Sequence, residues 1–273
     1  MPFIKIIRPF NCLFVAFTVL FGALISNNVI ELSPIIFAVL SASFIAAAGY
    51  VINDFFDLPI DKVNKPNRIL PSGKISPKTA YLFAVTLFFV GIMLSYLTTN
   101  FFCVGLAIIN SIALFLYARY FKLSFLMGNL LVAYAAASTF IYGGLAANNL
   151  GNSLIIAIFA FLYTFLREIV KDAEDIEGDA EFGARTLAIK VGRKGIAWLS
   201  VIPILAIIFV SFYFFKNELI SNRSFLLLQI FVSIPLILKL VIMIKQNTRK
   251  VFSILSQTMK INMVMLMIIL WIG

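Results

Sequence analysis

The sequence predicts an all-α, polytopic membrane protein, and three observations support this fold class. Of the 273 residues, 62% are hydrophobic and only 12% are charged, whereas about a quarter of an ordinary soluble domain is charged. Apolar stretches near twenty residues long, the length that crosses a bilayer as a helix, recur along the chain. No intervening stretch is polar enough to form a soluble domain. We therefore expect one transmembrane domain over residues 1–273.

Nine apolar stretches are predicted to span the membrane. The first lacks a small-residue cleavage site and is followed by further spans, so we expect no cleavable signal peptide. The predicted spans lie at residues 10–27, 33–52, 79–97, 100–118, 124–147, 151–170, 195–215, 223–244 and 251–272.

The basic residues indicate how these spans are oriented. The chain carries a net charge of +10. If the N-terminus is inside, the inner loops hold nearly all of the Lys and Arg residues, and the outer loops hold only Lys216 and Arg223. This asymmetry predicts a multi-pass cell-membrane protein with a cytoplasmic N-terminus and an external C-terminus. Topology thus accounts for the basic excess, and we expect no nucleic-acid partner.

Cysteine and histidine usage excludes some kinds of site. Cys12 and Cys103 lie in apolar stretches and are expected to be small core residues, not a disulfide or a metal pair. The sequence has no histidine, which removes the commonest general base and transition-metal ligand.

Acidic residues are concentrated in two predicted cytosolic loops, at about 53–78 and 168–194. Three of the twelve acidic residues lie in the first loop and seven in the second, while Glu31 and Glu218 lie elsewhere. The first three are Asp54, Asp57 and Asp61, and the other seven are Glu168, Asp172, Glu174, Asp175, Glu177, Asp179 and Glu181.

The spacing within each loop is helical. Asn53, Asp57 and Asp61 are four residues apart, and Asp172, Asp175 and Asp179 are three and four apart, so each set occupies one helix face. Two such carboxylate ridges facing one another would hold Mg²⁺, which takes oxygen ligands and substrate phosphates. A phosphorylated substrate at the membrane surface is therefore expected, and ordinary solvated loops are the alternative.

Proline and basic residues modify this pattern. Pro59 cannot donate a backbone hydrogen bond and is expected to bend or interrupt the first ridge, which leaves Asp61 on a separate turn. Basic residues interleave with the acids, and they would stabilise a departing phosphate.

Four stretches resemble the intramembrane prenyltransferase (UbiA) superfamily. NDFFDLPIDKVNKPNRILPSGKIS at 53–76 resembles its first signature, and DAEDIEGDAEFGARTLAIKVG at 172–192 resembles its second. RPFN at 8–11 resembles the family's opening, and YARYFKLSFLMGN at 117–129 resembles its middle stretch. Pro59 departs from the pattern. Within the superfamily, REIVKDAEDIEGD followed by GARTLAI is similar to the archaeal digeranylgeranylglyceryl phosphate synthases.

The resemblance implies a fold, a reaction and a cofactor. The family fold has nine transmembrane helices around a central cavity with cytosolic cap loops, and Mg²⁺ joins its aspartates to a prenyl diphosphate. The implied reaction moves a geranylgeranyl group from geranylgeranyl diphosphate to the sn-2 hydroxyl of geranylgeranylglyceryl phosphate, a lipid phosphate acceptor, with release of pyrophosphate. Archaeal ether-lipid biosynthesis is the implied setting.

With the resemblance, individual residues can be assigned expected roles. The expected metal ligands are Asn53, Asp57, Asp61, Asp172, Asp175 and Asp179. The expected catalytic residues are Asp57, Asp61, Asp175, Asp179, Lys122 and Tyr117. The expected substrate-binding residues are Arg68 and Lys122 for the diphosphate, Arg8 and Lys74 for an acceptor phosphate, and Asn11 at the cytosolic mouth of the first span. Asp54 points about a quarter-turn away and is a weaker candidate.

Two other functions remain open at the level of sequence. A related prenyltransferase would use an aromatic acceptor of the quinone, haem or chlorophyll type, attacked through carbon. A secondary transporter of a phosphorylated metabolite is the alternative from another class. Transporters place coupling carboxylates near the bilayer midplane, whereas the acidic residues here cluster at one membrane face.

Overall fold

Helices account for most of the chain in the computed structural model, which describes residues 1–26, 31–181 and 183–272. The end of the first predicted span, residue 27, lies outside the described residues, as does Phe182 of the second signature. The described helices are α1 (Pro2–Ile6), α2 (Pro9–Ser26), α3 (Leu32–Phe56), α4 (Leu58–Asn64), α5 (Pro77–Tyr96), α6 (Phe101–Leu116), α7 (Met127–Ala146), α8 (Gly151–Glu174), α9 (Ile176–Glu181), α10 (Leu187–Leu199), α11 (Val201–Lys216), α12 (Asn222–Leu228), α13 (Ile234–Lys245) and α14 (Arg249–Ile272).

Within the described ranges, nine helical stretches are long and apolar enough to cross a membrane, as predicted. They are α2, α3, α5, α6 with the π-helical turn Tyr117–Phe121, α7, α8, α10 with α11, α12 with α13 through the π-helical turn Gln229–Ser233, and α14. No strand occurs in the part of the chain that is described. The all-α, multi-pass architecture is therefore confirmed.

Three predicted boundaries were wrong because helices continue into the acidic loops. Helix α3 runs to Phe56 and α8 runs to Glu174, so parts of both clusters lie on spanning helices. The seventh span begins at Leu187 instead of 195. The Thr186 side chain accepts from the Ile189 backbone N–H and caps that helix, and Gly192, at φ 70°, interrupts it. The residues at these helix ends are polar, so a search for long apolar stretches did not include them.

The chain divides into two compact units. The first comprises residues 1–122 and 137–157, and the second comprises residues 123–136 and 158–273. The expectation of a single domain stays a prediction.

Small residues allow close helix packing in the first unit. A Cβ atom added at Gly143 of α7 would lie 2.6 Å from the Ala23 backbone nitrogen and 3.0 Å from the Gly22 carbonyl carbon, both in α2. Real Cβ atoms do not approach backbone that closely, so α2 and α7 pack backbone against backbone here, as small residues permit in membrane helices.

Aromatic and aliphatic side chains fill the core of the second unit. Phe159, Phe252 and Ile204 are almost completely buried. Phe159 of α8 packs edge-on against Phe214 of α11, with ring centroids 5.8 Å apart. This packing holds α8, the helix that carries part of the second acidic cluster.

Candidate active site

The first acidic cluster lies where α3 ends and α4 begins. Asp57 lies between the two helices. Its N–H donates to the Asn53 carbonyl at 2.9 Å, and its carbonyl accepts from the Asp61 N–H at 2.8 Å. Pro59 is among the first residues of α4, where a missing N–H needs no partner. The predicted interruption at Pro59 is confirmed, with Asp61 on the new helix.

Asn53 and Asp57 share a helix face, as their spacing predicted. The Asn53 side-chain amide donates to Asp57 Oδ2 at 2.8 Å. This contact fixes the Asp57 carboxylate and leaves the Asn53 amide oxygen available as a further oxygen ligand.

Each carboxylate of this cluster is paired with a cation from elsewhere in the first unit. Arg8 binds Asp54, and Lys122 binds Asp57. Arg68 binds Asp61 at 2.6 Å and lies 3.7 Å from Asp54. Because Asp54 is 9% exposed and Asp61 is 4% exposed, these charges are largely withdrawn from water and need their partners.

Arg8 occupies an unusual backbone conformation between α1 and α2. Its φ is 53°, in the left-handed region that costs a residue with a side chain roughly 1–2 kcal/mol. Its guanidinium lies over the Tyr50 ring, 5.2 Å from the centroid, and donates to Asp54. The strained conformation occurs at the residue whose side chain contacts a buried carboxylate.

The Pro-Ser-Gly loop positions Arg68. Turn hydrogen bonds join the Arg68 N–H to the Lys65 carbonyl at 2.9 Å and the Ser72 N–H to the Arg68 carbonyl at 3.0 Å. Gly73 has φ 72°, a left-handed conformation that glycine adopts without a steric penalty. Leu70 and Ile75, each 4% exposed, anchor the loop in the core, so Arg68 is held against Asp61.

A π-helical turn carries the residues of the middle signature. Tyr117–Phe121 form this turn, and the Lys122 N–H donates to the Tyr117 carbonyl at 2.9 Å, five residues back. The wider turn changes the direction in which the following side chain leaves the helix, and the Lys122 ammonium contacts Asp57. Tyr117 is half-buried at the start of the same turn.

The second acidic cluster lies in the second unit, at the end of α8 and in α9. Asp172 accepts a hydrogen bond from the Asn129 amide of α7 at 2.8 Å. The Asp175 N–H bonds the Lys171 carbonyl at 3.1 Å, and the Asp179 N–H bonds the Asp175 carbonyl at 2.9 Å. The helical spacing of Asp172, Asp175 and Asp179 therefore continues across the short break between α8 and α9.

Two glutamates of this cluster contact neighbouring helices. Ser256 of α14 donates to Glu174 at 2.8 Å. Arg193 of α10 donates to Glu177 at 2.6 Å, and this hydrogen bond lowers the pKa of Glu177 to about 2. Two of the seven acidic residues thus tie helices together, which separates their role from that expected of Asp175 and Asp179.

The RTLA segment after α9 docks on the stretch after the middle signature. The Arg185 N–H bonds the Leu123 carbonyl at 3.0 Å, and the Leu187 N–H bonds the Phe125 carbonyl at 2.9 Å. Lys190 lies over the Phe125 ring, 5.2 Å from its centroid. These contacts fix the path of the chain beyond Asp179.

Two of the predicted residues take no part in these ion pairs. Asn11 and Lys74 are exposed. Among the described residues, no three acidic or cysteine side chains surround one point closely enough for a metal ion. In the first cluster, each carboxylate is instead paired with a cation.

Sequence reasoning undervalued Asp54 and missed Asn129. Asp54 has two arginines nearby, although its helical angle separated it from the Asn53 face. Asn129 is 6% exposed in an apolar span, and an amide buried at such a position signals a polar partner.

The amino-acid sequence is similar to those of known prenyltransferases. The profile of the UbiA prenyltransferase family matches residues 15–264. Digeranylgeranylglyceryl phosphate synthase of Methanococcus aeolicus is 41% identical over 196 residues, 71% of this chain and 70% of the relative. The enzyme of the same name from Sulfurisphaera tokodaii is 38% identical over 244 residues, 87% of each chain.

Solved structures share the fold over nearly the whole chain. A structure of a digeranylgeranylglyceryl phosphate synthase in membranes has a TM-score of 0.89 at 31% identity, covering 100% of this chain and 97% of that one. A homologue from Archaeoglobus fulgidus bound to GPP and Mg²⁺ has a TM-score of 0.74 at 16% identity, covering 97% and 99%.

Proposed function

This chain belongs to the UbiA prenyltransferase family, and we propose that it transfers a geranylgeranyl group from geranylgeranyl diphosphate to the sn-2 hydroxyl of geranylgeranylglyceryl phosphate. The relatives named for this reaction match at about 40% identity over most of their length. Family membership favours a transferase over a transporter. The product would be a doubly prenylated glyceryl phosphate, as archaeal ether-lipid biosynthesis requires.

The observation that carries this proposal is the set of acid–base pairs at the end of α3. Asp54, Asp57 and Asp61 are matched by Arg8, Lys122 and Arg68, all at the boundary of an apolar span. A prenyl diphosphate has the same two-part character, because its head is highly charged and its tail is hydrocarbon. The head would bind at the pairs while the tail remains in the apolar part of the protein.

The chemistry of the donor atoms fits Mg²⁺. Asn53, Asp57 and Asp61 offer hard oxygen ligands in the first cluster, and Asp172, Asp175 and Asp179 offer them in the second. When bound, Mg²⁺ would neutralise charge on the diphosphate and so make pyrophosphate a better leaving group. Carboxylates that hold the metal would release Lys122 and Arg68 to contact diphosphate oxygens.

The transfer breaks one bond and forms another. The allylic C–O bond of the donor breaks, and its electron pair leaves with pyrophosphate. Lys122 and Arg68 stabilise the charge that accumulates on the leaving group. The acceptor hydroxyl oxygen forms the new ether bond to the prenyl carbon and loses its proton, and a carboxylate or the departing pyrophosphate takes it up.

A reconstituted assay tests the proposal. Purified protein would receive geranylgeranyl diphosphate, geranylgeranylglyceryl phosphate and Mg²⁺, with and without a chelator, and the prenylated lipid would be quantified. We expect metal-dependent product that is lost in Asp57→Asn and in Asp175→Asn. Glu181→Gln is the matched control, since Glu181 is exposed and is not one of the expected metal ligands.

Assays with other acceptors distinguish the proposed function from the alternative functions. Product from an aromatic acceptor, and none from the glyceryl lipid, would overturn the acceptor and keep the prenyltransferase. Absence of pyrophosphate release from any prenyl donor, in protein shown to be folded, would overturn the reaction itself.

A further inference from the structure

One turn of α8 carries two buried polar side chains and one partly buried arginine that the proposed reaction leaves unused. Tyr163 is 1% exposed, Thr164 is 5% exposed, and the Arg167 side chain is 18% exposed. Arg167 follows Thr164 by three residues and Tyr163 by four, so all three lie on one side of the helix. Polar groups inside a membrane span are costly and usually serve a function.

Each of these side chains has a polar atom without a hydrogen-bond partner. Among the described residues, the Tyr163 hydroxyl, the Thr164 hydroxyl and Arg167 Nε are buried without a partner. Arg167 Nη1 binds Glu168, which occupies one part of the guanidinium and leaves the Nε edge unsatisfied. Because Nε–H can only donate, the missing partner must supply acceptor oxygens.

We propose that this turn binds the phosphate of the acceptor lipid, an inference that rests on the proposed function. A guanidinium edge matches a phosphate with two parallel hydrogen bonds, and the two hydroxyls would supply further donors. The Arg167 and Glu168 side chains remain 18% and 15% exposed, so a ligand can approach the turn from their side.

The position along α8 suits the reaction. Asp172 follows Arg167 by five residues, a rise of about 7.5 Å along the helix, and Asn129 holds its carboxylate at 2.8 Å. In geranylgeranylglyceryl phosphate the hydroxyl-bearing carbon is adjacent to the phosphate-bearing carbon. A phosphate held at Arg167 would thus keep the acceptor hydroxyl within a few ångströms of that phosphate, beside the helix that also carries Asp172.

The residues predicted from sequence for this role are less suitable. Arg8 is committed to the buried carboxylate of Asp54. Lys74 is exposed and would compete with water for every phosphate contact. Arg167 combines partial burial with an unsatisfied donor, so a phosphate contact gains most there.

The test removes the phosphate from the ligand and the guanidinium from the protein. Transfer to geranylgeranylglyceryl phosphate and to its dephosphorylated analogue would be measured in wild type, Arg167→Gln and Arg167→Lys. Arg223→Gln, at an exposed position in α12, is the control. We expect Arg167→Gln to lower kcat/KM for the phosphorylated acceptor about 10–100-fold, the worth of a charged hydrogen bond.

The dephosphorylated analogue and the donor distinguish binding from structural damage. Arg167→Gln should leave kcat/KM for the analogue and KM for geranylgeranyl diphosphate unchanged, and Arg167→Lys should restore part of the phosphate preference. Equal losses on both acceptors, or an intact phosphate preference in Arg167→Gln, would overturn the inference while wild-type activity upholds the proposed function. If wild type prenylates neither glyceryl lipid, the proposed function itself fails.

Two conservative variants keep the test decisive if Arg167→Gln does not fold. Tyr163→Phe and Thr164→Val each remove a hydroxyl contact and retain the side-chain volume. Each should reduce the preference for the phosphorylated acceptor by about 10-fold, because each removes one hydrogen bond to a charged phosphate. An unchanged preference in both would argue against this site.

Discussion

The Lys122 ammonium donates a hydrogen bond to Oδ2 of Asp57, the same carboxylate oxygen that accepts from the Asn53 amide. The two residues are 65 positions apart in sequence, and a π-helical turn precedes the lysine. The contact joins the middle signature to the first acidic signature. We propose that Lys122 holds Asp57 before a metal binds and contacts the diphosphate afterwards.

Replacing Lys122 should therefore impair use of the donor. We expect Lys122→Met to lower kcat about 100-fold, because a preorganised group that stabilises the leaving charge is lost. Steady-state kinetics with varied donor concentration would measure this. Lys78→Met, at an exposed position in α5, should behave as wild type, and similar losses in both variants would argue against a specific role for Lys122.

The backbone at Arg8 gives a prediction for stability. Arg8→Gly and Arg8→Ala both remove the pair with Asp54, but glycine tolerates φ 53° and alanine does not. Arg8→Gly should therefore be the more stable of the two by about 1 kcal/mol. Thermal unfolding in detergent would rank them, and a more stable alanine variant would show that the left-handed conformation is not maintained.

Packing of α2 against α7 predicts different outcomes for two glycines. Gly143→Ala should destabilise the protein by about 1–3 kcal/mol, as overpacking does, because the new methyl group would meet α2 backbone. Gly105→Ala is the matched control in α6, where an added Cβ meets nothing within 4 Å. The control should be neutral or slightly stabilising. Equal thermal stabilities of the two variants would contradict this packing.

The Glu177–Arg193 contact predicts a pH dependence. The folded pKa of Glu177 is about 2, below its ordinary value of 4.5, so the contact stabilises the fold above pH 4.5 and loses this effect as the pH falls toward 2. Glu177→Gln should thus be less stable than wild type at neutral pH. The difference should shrink below pH 4.5 when unfolding is followed across that range. A difference independent of pH would show that ionisation of Glu177 does not matter.

The predicted membrane orientation can be tested with single cysteines. Cys12 and Cys103 are both buried, so an introduced exposed thiol would dominate labelling by an impermeant reagent. Ser72→Cys should be protected in intact cells, and Lys216→Cys should be labelled. The reverse pattern would place the acidic clusters outside the cell.

The sequence by itself determined the fold class, the number of spans and the location of the carboxylates. Hydrophobic length and helical spacing are local properties, which is why the shared face of Asn53 and Asp57 and the break at Pro59 were predictable. The helix ends were placed too early, since polar residues at the end of α3 and α8 continue the backbone hydrogen bonds of an apolar span.

Tertiary structure decided which charges meet. Many basic residues were available on the same predicted face, and local sequence contains no information on which one reaches a given carboxylate. Arg8 meets Asp54 across 46 positions and Lys122 meets Asp57 across 65, because helix packing, a left-handed residue and a π-helical turn bring them together. The partners of Asp172 and the unsatisfied donors around Arg167 likewise depend on burial, which only the packed helices determine.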